Sequence, residues 1–237
     1  HEAVHHKLFP EDRRLNDLVG QLVLLPLMVP LRVYRKIHRF HHGQNRRDHH
    51  TSALDTFVVP AGAGPLRRLY CRIVWYLAVF GGGWFIHSLV SVVLFLALPL
   101  RVARRVSPAF EGWSAGDRWA SIATFAAGVG LHLAVAYGLG AEVWALTLGW
   151  PFLAFAWVYS LLVYIYHYDT SYGSPVRDNV RSLAPNRALS WWLLNFNEHA
   201  THHRDPSIPW HQLPAKRRPL PPEFAANERV ATLGAAL

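Results

Sequence analysis

Two long apolar stretches, WASIATFAAGVGLHLAVAYGL at residues 119–139 and VWALTLGWPFLAFAWVYSLLVYIY at residues 143–166, contain no charged side chain. A helix rises about 1.5 Å per residue, so each stretch would span about 30 Å, the hydrocarbon thickness of a bilayer. Residues 138–142 (GLGAE) between them have the composition of a tight turn, and tryptophans at 119, 144, 150 and 157 suit membrane interfaces. We therefore predict a transmembrane helical hairpin, with a large soluble protein that buries the hairpin as the alternative.

Two further apolar stretches are interrupted, at Pro26 and Pro30 in residues 18–33 and at three glycines (81–83) in residues 70–100. Basic clusters flank both ends of each stretch, and the positive-inside rule places all of them in the cytoplasm. Because both ends of each stretch then lie on the same side, neither stretch can cross the membrane an odd number of times. Two crossings need roughly 40 residues, which is more than either stretch has. We predict re-entrant or interfacial helices that bend at the prolines and glycines. The basic clusters are Arg32, Arg35, Lys36, Arg39, Arg46 and Arg47; Arg67, Arg68 and Arg72; Arg101, Arg104 and Arg105; and Lys216, Arg217 and Arg218.

The composition restricts the class of protein and the kind of metal site. The 237 residues carry a formal net charge of +9, and 51% of them are hydrophobic, which excludes a disordered chain. The single cysteine, Cys71, excludes a disulfide framework, a cysteine zinc site and an iron–sulfur cluster carried by this chain. Because the positive charges flank apolar stretches instead of forming one stripe, we predict no nucleic-acid partner. The chain begins with His1 and not with Met, so we expect it to start inside a motif.

Three short windows contain most of the 15 histidines. HRFHH at residues 38–42 and HATHH at 199–203 place histidines at i, i+3 and i+4, which share one face of a helix, and HEAVH at 1–5 gives an i, i+4 pair. Each window can direct two or three imidazoles to one point. Eight nitrogen ligands exceed what one four-coordinate zinc uses, so we predict a site with two metal ions.

Other residues near these windows are candidates for supporting roles. His167 follows the second apolar stretch on the predicted cytoplasmic side, and there a ligand and an interfacial histidine are equally good interpretations. Carboxylates and amides near the windows can accept the second N–H of a ligating imidazole, although each is an equally good helix cap or surface group. His87, His132 and His211 are predicted to be structural. The candidates for the supporting shell are His6, His49, His50, Asp55, Asp169, Asn195, Glu198 and Asp205.

The three windows resemble the histidine boxes of the membrane fatty acid desaturases and their relatives, the alkane hydroxylases and carotenoid ketolases or hydroxylases. The run NFNEHATHHRDPSIPWHQLP at 195–214 is similar to the extended third box of the bacterial acyl desaturase type. The resemblance covers residues 1 to about 214 and implies a non-haem diiron site with two Fe ions. Neutral imidazoles also suit zinc, copper and nickel, so the metal identity rests on the resemblance. The ligands it implies are His1, His5, His38, His41, His42, His167, His199, His202 and His203.

Together, these patterns and the resemblance predict an all-α integral membrane protein. A transmembrane helical hairpin and re-entrant or interfacial helices would carry a cytoplasmic histidine-rich cap that holds the dimetal site. We expect residues 1–237 to form a single membrane desaturase-like domain with 215–237 as a C-terminal tail, and further helices to precede His1, as in the family. Stearoyl-type relatives have an Asn four residues before the extra histidine. This chain has Val163 there, so that contact is not carried over.

The activity that the resemblance implies is an O2-dependent desaturation, which introduces a double bond into an acyl chain. The partners are then an acyl lipid, O2 and the surrounding membrane lipid. The electrons come from outside, because there is no cysteine cluster and GAGPLR at 62–67 is only a broken dinucleotide fingerprint. A ferredoxin, a rubredoxin or a small cytochrome is the implied donor, docking on the basic face by charge complementarity.

Two alternatives stay open at this point. Within the same chemistry, the chain could be a hydroxylase or ketolase of alkanes, sterols or carotenoids, because small differences in substrate placement decide between loss of a second hydrogen and oxygen transfer. From another class, it could be a histidine-rich membrane metal transporter or metal sensor. A transporter needs polar side chains along its spanning helices, and the hairpin offers few. A membrane cytochrome would need paired histidines deep in the spans, where only His132 lies.

Overall fold

The computed structural model describes residues 1–48, 62–106, 108–168, 170–173, 175–184 and 186–228, and every regular element in these ranges is helical. Short 3-10 segments at Glu2–His5, Leu25–Leu27, Pro108–Phe110, Val176–Asp178, Trp210–Gln212 and Pro222–Glu228 connect or extend the α-helices. The α-helices are α1 (Arg13–Leu24), α2 (Leu31–Gln44), α3 (Pro65–Phe80), α4 (Gly83–Ala97), α5 (Leu100–Val106), α6 (Ala115–Gly138), α7 (Ala141–Trp144), α8 (Trp150–His167), α9 (Arg187–Trp192), α10 (His199–Arg204) and α11 (Leu213–Lys216).

The described residues form two compact units. Unit 1 contains His1, residues 3–38 and residues 79–160, and unit 2 contains Glu2 and the described parts of residues 39–78 and 161–237. Helices α2, α3 and α8 each contribute residues to both units. The prediction of a single domain with a C-terminal tail stays a prediction.

The predicted hairpin is confirmed as two helices long and apolar enough to cross a membrane, Ala115–Gly138 and Ala141–His167. Helix α6 begins with a capping box, in which Ser114 Oγ accepts from the Asp117 backbone N–H. The second span joins α7 to α8 through one π-helical segment, Ala145–Gly149. Only 11% and 22% of the two apolar windows are buried. A soluble protein would not expose so much contiguous apolar surface, so the buried-hairpin alternative fails.

The first interrupted stretch bends sharply at its prolines. Helices α1 and α2 meet at 94° around Pro26 and Pro30, and pass the length and hydropathy test for a span only as a bent pair. In unit 1 the bend is held against α6, because His132 Nε2 donates a hydrogen bond to Pro26 O (2.8 Å) and Trp144 Nε1 donates to His132 Nδ1 (3.1 Å). The predicted re-entrant shape therefore has a specific polar anchor in His132.

The second interrupted stretch breaks at its glycines. Gly82 lies between α3 and α4 with φ of +68°, a conformation that favours glycine. A Cβ at this position would lie 3.2 Å from the carbonyl carbon of Ala156. One turn into α4, the Phe85 backbone N–H donates to Ser160 Oγ (3.1 Å). The break thus allows a close approach to α8 within unit 1.

A small apolar core in unit 2 supports the third histidine window. The segment at residues 180–184 connects α8 to α10 by main-chain bonds: Arg181 N donates to Tyr166 O (3.0 Å) and Leu183 N donates to Asn197 O (2.9 Å). The buried core residues are Ile165, Tyr166, Val180, Leu183, Ala200, Leu220 and Phe224. The end of α8 and the start of α10 are therefore fixed to one scaffold.

Candidate metal centre

Three helix segments of unit 2 bring four histidines together, which we call the four-histidine cluster: His41, His167, His199 and His203. His41 lies in the last turn of α2, His167 is the last residue of α8, and α10 supplies the other two. One nitrogen from each of the four lies within 4.8 Å of the others. The i, i+4 spacing predicted for His199 and His203 is real, because α10 is an α-helix.

The distances within this cluster match those between ligands of one metal ion. His167 Nε2 and His199 Nε2 are 3.0 Å apart, and His41 Nε2 and His203 Nε2 are 3.2 Å apart. Imidazole nitrogens lie about 2.0–2.1 Å from a metal such as zinc, which puts neighbouring ligands roughly 3.0–3.4 Å apart. The residues present therefore fit a divalent transition-metal ion.

Burial keeps these imidazoles in the form that binds metals. Desolvation lowers the pKa of His41, His199 and His203 well below the usual value for histidine, and nearby imidazoles lower it further. The side-chain Nδ1 atoms of His167, His199 and His203 are buried and have no hydrogen-bond partner among the described residues. A neutral imidazole has a free lone pair, so the cluster can bind a cation without first releasing protons.

A second pair of histidines lies in unit 2, where His42 Nε2 and His202 Nε2 are 3.1 Å apart and their rings meet edge to face. Burial lowers the pKa of His42 to about 4. His41 and His42 are adjacent in α2, and His202 and His203 are adjacent in α10. Both helices therefore contribute to the cluster and to this pair, and α10 supplies two histidines to the cluster.

Unit 1 holds a further group, the N-terminal triad of His1, His5 and His38. His5 Nε2 lies 2.9 Å from His38 Nε2, and the ring of His1 contacts both others at centroid distances of 5.0 and 4.7 Å. The segment at Glu2–His5 is a 3-10 helix and not the α-helix that the i, i+4 spacing predicted. His6, the residue that follows this segment, has φ of +57°.

Aromatic rings enclose the buried side of the four-histidine cluster. The ring of Tyr166 stacks on that of His199 (4.4 Å, 30°), and Phe196 meets the same imidazole at 4.5 Å. Behind α10, Ser182 Oγ accepts a hydrogen bond from Ala200 N (3.0 Å). Nothing in the sequence pattern singles out these residues, although Phe196 lies inside the run at 195–214 that resembles the third histidine box.

The predicted supporting residues lie in different surroundings. His49, His50, Asp55 and Asp169 lie outside the described residues. The buried Glu198 receives a hydrogen bond from Arg217 Nη1 (3.0 Å), and desolvation raises its pKa although Arg217 opposes the shift. Their supporting roles stay predictions. The other three have these contacts: Asn195 donates to Trp210 O, Asp205 accepts from Ser207 N and Oγ, and His6 Nδ1 lies 3.6 Å from Asp17 Oδ1.

Two arginines counted as topology signals have internal roles instead. Arg46 is 3% exposed, its guanidinium lies 4.1 Å above the Tyr172 ring, and its Nε donates to Ser171 O (3.1 Å). The side chain of Arg35 is 16% exposed and contacts the N-terminal segment of unit 1. Basic residues in the printed sequence carry no sign of which ones turn inward, so only the structure separates these two from their neighbours.

Comparison with known protein families agrees with the geometry. Residues 1–232 match the family described as Fatty acid desaturase, whereas no curated protein gave a match. The match includes the histidines of all three windows and both apolar spans. The chain therefore belongs to the fatty acid desaturase family, and it is a membrane oxidoreductase with histidine clusters able to bind metal.

Proposed function

We propose that this chain is an O2-dependent fatty acid desaturase with a diiron centre, which uses electrons from an external carrier. The observation that carries the proposal is the four-histidine cluster, with its nitrogens within 4.8 Å of one another and its side chains on three separate helix segments. Such a convergence of neutral imidazoles, with no carboxylate in the group among the residues that the structure describes, suits a first-row transition metal. The family match supplies the acyl substrate class and O2.

The ligands we propose are the nine histidines of the three windows and His167. The four-histidine cluster would bind one ion, with all four ligands supplied by unit 2. The other five histidines, His1, His5, His38, His42 and His202, are proposed as ligands because the family resemblance implies them.

The reaction balances with two external electrons. An acyl –CH2–CH2– segment, O2, two electrons and two protons give –CH=CH– and two waters. The iron pair, when bound, supplies the redox chemistry that breaks an unactivated C–H bond. The chain's own residues bind the ions as neutral imidazoles, and the rings of Tyr166 and Phe196 keep water from the buried side of His199.

The electron donor and the side of the membrane follow from charge. We propose that the histidine clusters lie on the cytoplasmic side, because the basic segments flank the apolar ones. Lys216 and Arg218 are exposed in unit 2 and would attract an acidic ferredoxin, rubredoxin or small cytochrome. Reversal of both charges should lower the rate of reduction by such a donor, and added salt should lower it in the unmodified chain.

The decisive experiment expresses the chain in a membrane host with a reductase and a ferredoxin, and analyses the acyl lipids by mass spectrometry. Products that have lost two hydrogens, together with two irons per purified chain, support the proposal. Products that have gained one oxygen indicate the hydroxylase or ketolase alternative.

The control is a variant with both His199 and His203 changed to Ala, because it removes two buried ligands of one cluster. It should yield neither product. A single exchangeable zinc per chain with no lipid product would contradict the proposal and would support the metal-transporter alternative.

A further inference from the structure

The first histidine segment, residues 1–6, is held largely through its backbone, and the ring of His6 also lies 3.5 Å from Asn16 Nδ2. Asn16 of α1 is fully buried, and its Nδ2 donates a hydrogen bond to Ala3 O (2.9 Å). Its Oδ1 accepts from the backbone N–H groups of Leu8 (3.2 Å) and Phe9 (3.4 Å). A single amide thus connects the middle of the segment to the turn that follows it.

Arg35 of α2 binds the same segment from the other helix. Its Nη2 donates to Ala3 O (2.9 Å) and its Nε donates to Val4 O (3.2 Å). The guanidinium is itself oriented by Asp17 of α1, whose two carboxylate oxygens accept from Nη2 (2.6 Å) and Nη1 (3.1 Å). The hydrogen bond from Arg35 holds the pKa of Asp17 below its usual value. The fork geometry is specific to arginine, because one ammonium group cannot contact two carbonyls and a carboxylate in this arrangement.

Apolar packing under the segment leaves no room for it to shift. Ala3 and Val4 are 6% and 5% exposed and pack on Leu31. A Cβ built on Gly20 would lie 2.4 Å from Ala3 Cβ, so the segment lies directly against the backbone of α1. The polar and apolar contacts together hold the segment against α1 and α2.

The position of Arg35 connects this clamp to the histidines. The carbonyls that it binds lie between His1 and His5 in sequence, and His38 follows Arg35 by three residues on the same helix, where side chains share a face. We infer that Arg35, oriented by Asp17 and assisted by Asn16, is a positioning residue that holds His1 and His5 beside His38 for metal binding. This inference rests on the proposed function, because it assigns a supporting residue to one of its two ions.

The first test measures amide hydrogen exchange in the metal-free full chain. Arg35→Lys keeps the charge but loses the fork, and the amides of residues 3–9 should exchange at least about tenfold faster because two carbonyl contacts weaken together. Arg32→Lys is the matched control: Arg32 lies on the same helix, its side chain is 58% exposed, and it contacts Asp117. Wild-type exchange in Arg35→Lys, or equal acceleration in Arg32→Lys, would overturn the inference.

The second test measures iron binding by titration and by metal analysis. In Arg35→Lys the affinity for one ion should fall about 10- to 100-fold, the range seen when a supporting residue is removed, while the other ion keeps its wild-type affinity. Asn16→Asp is a second variant in case Arg35→Lys folds poorly. It keeps the acceptor for Leu8 and Phe9 but loses the donor to Ala3 O and to Asp17 Oδ1. Its carboxylate also lies beside the one that orients Arg35, and it should show the same selective loss.

The two proposals fail in different ways. If wild-type protein binds two ions and both variants bind two ions with unchanged affinity, only the positioning role is overturned. Equal weakening of both ions would also overturn it, because a general loss of structure does not select one ion. If wild-type protein binds no more than one ion, the proposed function itself fails, and this inference fails with it.

Discussion

At the scale of single residues, the four-histidine cluster depends on imidazoles that are buried and neutral. Their burial costs free energy, since the Nδ1 atoms of three of them lack a hydrogen-bond partner among the described residues. A metal ion held by the facing Nε2 atoms would offset this cost without contacting Nδ1. The cost is concentrated in α10, which has five buried residues in a row, His199 to His203.

Replacement of one cluster ligand should remove one ion. In His203→Ala we expect the metal content to fall by one ion per chain and desaturation to fall by more than about 100-fold, because a ligand matters at least as much as its supporting residues. His211→Ala is the control, since His211 is exposed and contacts Gln212. Metal analysis measures the ions per chain, and lipid mass spectrometry measures the desaturated product, in both variants. Two ions per chain in His203→Ala would contradict the assignment.

The Glu198–Arg217 pair should matter for stability. Arg217→Met removes the cation from Glu198, whose side chain is 3% exposed. We expect the free energy of unfolding to fall by about 3 kcal/mol at most. Solvent screening reduces the loss, because the side chain of Arg217 is 32% exposed. Burial already raises the pKa of Glu198, so the folded state binds its proton more tightly than the unfolded state. The destabilisation should therefore grow as pH rises through the raised folded-state pKa of Glu198 and shrink in acid.

The measurement is the apparent unfolding temperature of the purified protein in detergent at several pH values. The double variant with Glu198→Gln should recover part of the loss, because a neutral amide costs less to bury than an unpaired charge. Equal unfolding temperatures of wild type and Arg217→Met at all of these pH values would show that the pair contributes nothing measurable to stability.

At the scale of elements, the bend between α1 and α2 is the feature with the most specific support. Proline interruption alone predicts a bend but gives no direction for it. The direction follows from His132 on α6, which donates to Pro26 O and accepts from Trp144. A histidine predicted to be a structural core residue thus connects three elements.

We expect His132→Ala to destabilise unit 1 by about 1–3 kcal/mol, because it leaves a carbonyl without its donor in an apolar setting. Trp144→Phe keeps an aromatic ring but removes the N–H donor and the second ring of the indole, so a loss of about 1–2 kcal/mol is expected. Thermal unfolding in detergent measures both effects. A larger loss in Trp144→Phe than in His132→Ala would mean that packing of the indole, and not the carbonyl contact, holds the bend.

At the scale of the whole molecule, metal and protons should compete for the same nitrogens. Burial lowers the pKa of His42 to about 4 and the pKa values of His41, His199 and His203 well below their usual value, whereas the unfolded value is about 6.5. Below pH 6.5 the unfolded chain binds more protons than the folded chain. The stability of metal-free protein is therefore fully present above pH 6.5 and is lost as pH falls through 6.5 toward 4.

Metal removal should lower the apparent unfolding temperature and make it depend more steeply on pH between 7 and 5. Iron at 100 times its dissociation constant should add about 2.7 kcal/mol per ion. The comparison uses chelator-treated and iron-loaded samples of the same preparation, with His203→Ala as a variant that should gain less from iron. Identical pH profiles with and without iron would contradict binding at the histidines.

The membrane hairpin, the breaks at the prolines and glycines, and the identity of the clustered histidines were predictable, because they depend on local properties: apolar length, proline and glycine positions, and helical spacing of one residue type. The 3-10 form of Glu2–His5 was not, because four residues next to a left-handed His6 are too short for periodicity to specify. Nor were the inward arginines, since Arg35 and Arg46 look like their exposed neighbours in the printed chain.

The sequence by itself therefore determined the class of this protein, its spanning hairpin and the atoms able to bind metal. Only the tertiary structure decided which histidines meet: His41 with His203, His42 with His202, and His5 with His38. It also decided that Arg35, Asn16 and Asp17 hold the first segment in place. The physical reason is that a local pattern specifies which face of a helix a side chain occupies, whereas the partner across a gap of 160 residues depends on how the helices pack.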